Sequence, residues 1–141
     1  MKKMLPSILI ILVFAGYIGF VMLRKAAPTP GVFDANITLA QAEQQSAESG
    51  KPIMVLATAD WCAPCQSLKR GPLTDPGVIE MITSHTIPVY LEDGANREEL
   101  ATLPLQSYPT TFIVDGGRVT ATILGGRGYR AALERALGLE D

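Results

Sequence analysis

The chain opens with an uncharged, largely apolar run, residues 4–23, bracketed by Lys2 and Lys3 on one side and Arg24 and Lys25 on the other. As a helix such a run spans roughly 30 Å, the thickness of a hydrocarbon core. A cleaved leader has a shorter apolar region ending in small residues. Here a basic pair closes the run, so we expect an uncleaved signal-anchor over residues 1–25, with its helix at 4–23. The flanking basic residues balance, and the α-amino group tips the orientation towards an N-terminus in the cytoplasm. The expected location is therefore the inner (cytoplasmic) membrane, single-pass, with the following domain facing the periplasm or cell exterior. Residues 26–33 begin A-A-P-T-P-G, have no periodicity and are expected to form a short stiff linker.

From residue 34 the pattern changes to short alternating elements. Thr38-x-x-Gln41 has the form of a capping box, and Gly50 followed by Pro52 is a stop signal, so the sequence predicts a helix over 38–49 with a thin apolar face. Residues 52–58 are a continuous apolar run, the mark of a buried central strand. A helix follows, from the cysteine pair to Arg70. Asp75-Pro76 starts another, with Val78, Ile79 and Ile82 as its stripe. Residues 86–91 predict a second strand, and Asn96-x-x-Glu99 a short capped helix. Residues 110–114 and 118–124 are β-rich and joined by Asp115-Gly116-Gly117, a hairpin signal. Tyr129, Leu133, Ala136 and Leu137 share one face of a last helix ended by Gly138. Strands separated by helices and closed by a hairpin imply an α/β domain, residues 34–141, whose central mixed sheet is covered on both faces.

With 141 residues, the chain has room for one ordinary domain and an appendage. All 14 acidic residues lie beyond the apolar run, whereas four of the 12 basic ones flank it. The domain is thus acidic and has no basic stripe, which argues against nucleic acid as a partner. Two cysteines, Cys62 and Cys65, exclude a disulfide-stapled scaffold and a four-cysteine zinc or iron–sulfur site from this chain alone.

Cys62-Ala63-Pro64-Cys65 sits between a buried strand and a helix. Two intervening residues fit one helical turn, so the sulfurs can meet in a disulfide. At the helix start the unpaired N–H groups and the macrodipole favour an anion, and Cys62, nearest that end, should hold its thiolate at a depressed pKa. The pair could instead be half of a metal site, but the further ligands must then come from His85, from carboxylates or from a second chain. Haem attachment needs histidine directly after the second cysteine, where Gln66 stands. A redox dithiol is the reading the local context favours, with no cofactor and no metal. His85 is expected to be a solvated helix-end residue, and Glu98 with Glu99 a complement to a helix dipole.

The stretch from Ala59 through Asp60 and Trp61 to Cys65, with Tyr108-Pro109-Thr110 about forty residues on, resembles the thioredoxin superfamily over roughly residues 34–139. Among its members the chain looks most like membrane-anchored, outward-facing thiol–disulfide oxidoreductases and the thioredoxin-like domain of transmembrane reductant conduits. The resemblance implies a thioredoxin-like three-layer fold and a set of roles. Cys62 is then the exposed nucleophile and Cys65 the resolving thiol, the two forming a redox-active disulfide. Trp61 shields the pair and packs against substrate. Pro109 is cis, and Tyr108, Pro109 and Thr110 bind substrate peptide. The implied partners are disulfide-bearing proteins and a transmembrane thiol electron donor.

One position departs from the family. Many thioredoxins carry a buried acid six residues before the first cysteine, and Leu56 stands there, so the proton for Cys65 must come from water or from a group such as Glu92 or Asp93. Ala63-Pro64 lacks the histidine of strong oxidases, which favours the reducing direction. The alternatives are an oxidase of the same fold, a thioredoxin-fold binding or chaperone module, and a copper(I) chaperone. No methionine or histidine cluster in the domain supports the last of these.

Overall fold

A computed structural model describes residues 5–22 and 26–140 of the chain. In chain order the elements are α1 (Leu5–Met22), a 3₁₀ turn (Gly31–Phe33), α2 (Leu39–Ser49), β1 (Ile53–Thr58), α3 (Ala63–Arg70), a second 3₁₀ turn (Pro72–Thr74), α4 (Pro76–His85), β2 (Ile87–Glu92), α5 (Arg97–Ala101), β3 (Thr110–Asp115), β4 (Arg118–Leu124) and α6 (Tyr129–Ala136). The ends of the expected 4–23 anchor helix lie outside the described residues. Among the described residues no helix is long and apolar enough to cross a membrane.

The four strands form one sheet in the order β2-β1-β3-β4. β1 runs parallel to β2, while β3 is antiparallel to both β1 and β4. β1 lies at the centre because all six of its residues are apolar or small, and all six are buried. A strand apolar on both sides is stable only with both faces covered. On one face Met54 and Leu56 meet Leu68 of α3, Val78, Met81 and Ile82 of α4, and Tyr129 and Leu133 of α6. On the other, Ile53, Val55 and Ala57 meet Ala42 of α2 and Leu100 of α5. Each fully buried Leu, Ile or Val contributes roughly 1.5–3 kcal/mol relative to exposure, so these two layers hold the fold together.

Local signals set the boundaries. Thr38 and Gln41 form the reciprocal capping box, and Gly50 ends α2 at φ +72°. Asp75 Oδ1 accepts the Val78 N–H at 3.0 Å to start α4. Gly116 and Gly117, at φ +55° and +74°, make the two-residue turn between β3 and β4 that non-glycine residues adopt only at a steric cost. Both outer strands are irregular. The Ile87 N–H points inward to the Pro52 carbonyl. By alternation Pro88, which lacks an N–H, turns to the open edge of β2. On β4 the register shifts between Ile113 and Val114, which pair with Ala121 and Val119 and leave Thr120 as an extra residue.

Two expectations are corrected. Residues 27–33 are not a free linker: Ala27, Pro30, Val32 and Phe33 are buried. Phe33 is 2% exposed, and its ring lies 5.6 Å from that of Tyr90. Small residues and prolines carry no periodic signal, so only the surface they meet decides whether they dock. Nor does the Asn96 side chain cap α5. Its Oδ1 accepts the Glu92 N–H at 3.0 Å, and its Nδ2 donates to Glu99 at 2.8 Å. Glu99 is no mere dipole complement, because its other oxygen accepts the Leu39 N–H at 2.9 Å and ties α5 to the start of α2.

Candidate active site

β1 leads through Ala59, Asp60 and Trp61 into α3, and the cysteines stand at that junction. Cys62 is the N-cap of α3: its backbone is extended, and its Sγ accepts the Cys65 N–H at 3.2 Å. Pro64 lies in the first turn, where its missing N–H has no helical partner to lose. Cys62 and Cys65 are joined by a disulfide, with Cα atoms 5.2 Å apart. Cys65 is 0% exposed and Cys62 only 5%, so the expectation of an exposed Cys62 is corrected. Its sulfur is enclosed by its bond to Cys65 and by the cluster it forms with Ala59 and Tyr108. Of the two cysteines only Cys62 is reached by solvent.

Trp61 is 73% exposed, which excludes a core role. Its ring meets Tyr108 edge-on at 5.8 Å, and its Nε1 donates to Asp93 Oδ2 at 3.2 Å. Asp93 in turn donates its backbone N–H to the Thr58 carbonyl at 2.9 Å, so the end of β2 holds the tryptophan from below. Burial, followed by the Asp93 charge, raises the Tyr108 pKa above the ordinary tyrosine value, with Arg97 opposing. Tyr108 is therefore a neutral hydrogen-bonding and stacking group. The Tyr108–Pro109 peptide bond is cis, and Pro109 is buried at the entry to β3. Thr110 is 1% exposed, and its hydroxyl donates to the Ser107 carbonyl at 2.7 Å, closing the loop before β3. Next to the pair, Ala63, Pro64, Ser67, Leu68, Pro72, Gly126 and Arg127 line an open groove of about 540 Å³. Two aromatic rings and an open, largely apolar groove thus adjoin the disulfide.

Leu56 is 0% exposed in β1, between Tyr90 of β2 and Thr111 of β3. Of the acids named from the sequence, Asp93 is engaged with Trp61, and Glu92 accepts from the Tyr90 hydroxyl at 3.4 Å. The sequence reading missed Lys69. Its side chain is 1% exposed, with Nζ 3.3 Å from Asp60 Oδ1 and 5.2 Å from the centre of the Tyr90 ring. The available signal was helical spacing, since Cys65, Leu68 and Lys69 form the buried face of α3. Among the described residues no group of three or more histidine, cysteine or acidic side chains is placed to hold a metal ion.

The comparisons agree with this geometry. A family model described as thioredoxin-like matches residues 34–116. A thioredoxin from Streptomyces clavuligerus is 31% identical over 101 residues, covering 70% of this chain and 88% of its own length. The thiol:disulfide interchange protein DsbD of Pectobacterium atrosepticum is 28% identical over 120 residues, covering 77% of this chain; the chain spans only 19% of that longer protein. Among solved structures, the DsbH oxidoreductase superposes with a TM-score of 0.64 at 22% identity, covering 82% of this chain and 89% of that one. With its Cys62–Cys65 disulfide at the start of α3, the chain belongs to the thioredoxin-like family of thiol–disulfide oxidoreductases.

Proposed function

We propose that this protein reduces disulfides of extracytoplasmic proteins. The observation that carries the reading is the Cys62–Cys65 disulfide at the N-terminus of α3, flanked by the exposed Trp61 and by Tyr108. In the reduced protein the Cys62 thiolate, favoured by the helix start, attacks one sulfur of a substrate disulfide. The other substrate sulfur leaves as a thiolate and takes up a proton, and a mixed disulfide remains. Cys65 then loses its proton and attacks Cys62 Sγ, which releases the second substrate thiol and re-forms the Cys62–Cys65 disulfide. Two electrons pass to the substrate, and a thiol donor must return them. Trp61 and Tyr108 hold the substrate segment, and Pro109 and Thr110, both buried rather than in reach of substrate as expected, fix the loop that presents Tyr108.

The reducing direction rests on Ala63-Pro64, which puts no cationic side chain between the sulfurs. The outward location rests on the uncharged run 4–23 and its basic flanks. An outward-facing reductase draws its electrons across the membrane, so a transmembrane thiol protein is the proposed donor.

The test uses the full chain in mild detergent. Cys65→Ser should accumulate a mixed disulfide with a protein substrate through Cys62, and Cys62→Ser should not; absence of the adduct from Cys65→Ser would overturn the mechanism. A reduction potential near about −120 mV instead of about −270 mV would reverse the direction. Extraction of the full chain from cell membranes by a carbonate wash would refute the anchor.

A further inference from the structure

The buried face of α3 carries one charge. Cys65 and Leu68 are ordinary occupants of an interior; Lys69 is not. A lysine whose side chain is 1% exposed must find partners or give up its proton, because an isolated buried ammonium is strongly disfavoured. Lys69 has found the Asp60 carboxylate at 3.3 Å and the ring of Tyr90 at 5.2 Å. Burial acts to lower its pKa, but the interactions with Tyr90 and Asp60 outweigh it and hold the group above the usual lysine value. It is a cation wherever thiol chemistry operates.

Its placement matters more than its charge alone. Helical side chains lean towards the helix N-terminus. The Lys69 ammonium accordingly comes to rest beside the Asp60 carboxylate, and Asp60 stands two residues before Cys62 in the chain. The residue belongs to the last turn of the helix, but its charge is delivered to the end where the disulfide lies. Asp60 offsets it only in part. That carboxylate is 53% exposed and screened by water, whereas the Lys69 side chain is 1% exposed and screened less. On the sheet side Tyr90 is the register neighbour of Leu56. Where β1 offers no ionisable group, α3 brings one.

We propose that Lys69 is the electrostatic partner of the redox pair: its ammonium stabilises the thiolate left when the Cys62–Cys65 disulfide opens and so sets how readily the pair is reduced. The inference rests on the oxidoreductase reading above. Lys69 neither gives nor takes a proton. In exchange with glutathione, two glutathione thiols deliver two electrons and two protons to the disulfide and leave as one glutathione disulfide. One proton stays on the thiol of the opened pair; the other goes to water, leaving the thiolate. A buried cation favours that product.

The experiment equilibrates the full chain, in mild detergent at pH 7, with glutathione buffers of graded ratio, and reads the reduced fraction by thiol alkylation and mass shift. Lys69→Met should move the equilibrium about tenfold towards the disulfide, which is about 30 mV for this two-electron couple. Lys69→Arg, which keeps the charge, should stay within about threefold of the parent. Asp60→Asn, which removes the opposing carboxylate, should move the equilibrium towards the dithiol. A folded Lys69→Met within about twofold of the parent overturns the proposal, and so does a Lys69→Arg shift as large as that of Lys69→Met. If Lys69→Met does not fold, Asp60→Asn decides, and an unmoved equilibrium there overturns it. A parent chain that fails to exchange with glutathione at all refutes the oxidoreductase reading itself, and this inference with it. A parent that exchanges normally beside an unmoved Lys69→Met removes the role of Lys69 alone.

Discussion

Replacing Leu56 by aspartate places a carboxyl group where many relatives keep one, and the structure sets what it meets there. Leu56 is 0% exposed, packed with Met54, Leu68, Ile113 and Tyr129. Removing a buried leucine side chain costs about 2–5 kcal/mol. A carboxyl group left without partners in the same place adds about 1–3 kcal/mol. Together these approach the whole stability of an ordinary domain, about 5–15 kcal/mol. The new group is not without a partner, however. Tyr90 is the register neighbour of Leu56, and the Lys69 ammonium lies 5.2 Å from the Tyr90 ring. A carboxylate at position 56 and Lys69 therefore share one low-dielectric pocket, and their coupling should be about 1–3 kcal/mol. The assay is urea unfolding at pH 7 of the parent, Leu56→Asp, Lys69→Met and the double variant. Leu56→Asp should lose about 2–5 kcal/mol, the packing and carboxyl-burial losses less the new pairing. The double variant should lose more than the two single variants combined, by the coupling. Losses that add to within about 0.5 kcal/mol would refute the shared pocket.

Two further outcomes follow from the packing. The Tyr129 hydroxyl is buried against Thr111 Oγ1 at 2.9 Å, and burial pushes its pKa up to about 12. Its contribution is complete below pH 10, where the unfolded tyrosine is still protonated, and is lost as pH rises towards 12, by up to about 2–3 kcal/mol. Tyr129→Phe should cost about 1 kcal/mol at neutral pH and flatten this alkaline loss in urea titrations; an unchanged alkaline slope would contradict the assignment. Trp61→Ala should change stability by less than about 0.5 kcal/mol, because the ring is 73% exposed. The same variant should slow reduction of a protein disulfide about tenfold, from the loss of an aromatic contact, while sparing a small-molecule disulfide. Equal slowing of both substrates would remove Trp61 from substrate binding.

Most of the domain was legible because its local signals agree with its tertiary ones. The Thr38–Gln41 box, the Asp75 cap and the Asp115-Gly116-Gly117 turn each satisfy backbone groups within a few residues, and each forms as read. The apolar run of β1 can be buried only in the centre of a sheet, and it is. What the sequence concealed depends on partners distant in the chain. Gln66 accepts the Ala27 N–H, which docks a segment with no periodicity of its own. Asn96 and Glu99 have the spacing of a capping box, but Leu39, sixty residues away, competes for Glu99 and wins. Lys69 was hidden by its own charge. Helical spacing assigns it to the inner face with Cys65, but a lysine is read as solvated unless its stem is seen to pass under Tyr90 to Asp60. The cysteine pair was conspicuous, whereas the cover over Cys62 came from Tyr108, a residue of another loop.

The two irregular outer strands bear on self-association. A sheet with open sides is a template for any extended chain that can continue its ladder. Under the proposed function the protein meets partly unfolded, disulfide-bearing chains, and copies of itself besides. Here the proline at position 88 withholds a donor from the open side of β2. The extra residue at Thr120 breaks the repeat of β4, and its hydroxyl donates to the Ile113 carbonyl at 3.2 Å. Neither side offers a straight run of free partners, so an incoming strand gains little by adding to the sheet. If the loop that leads into β3 beside Trp61 receives substrate, as proposed, a reduced substrate has no second strand-like hold from which it must be freed.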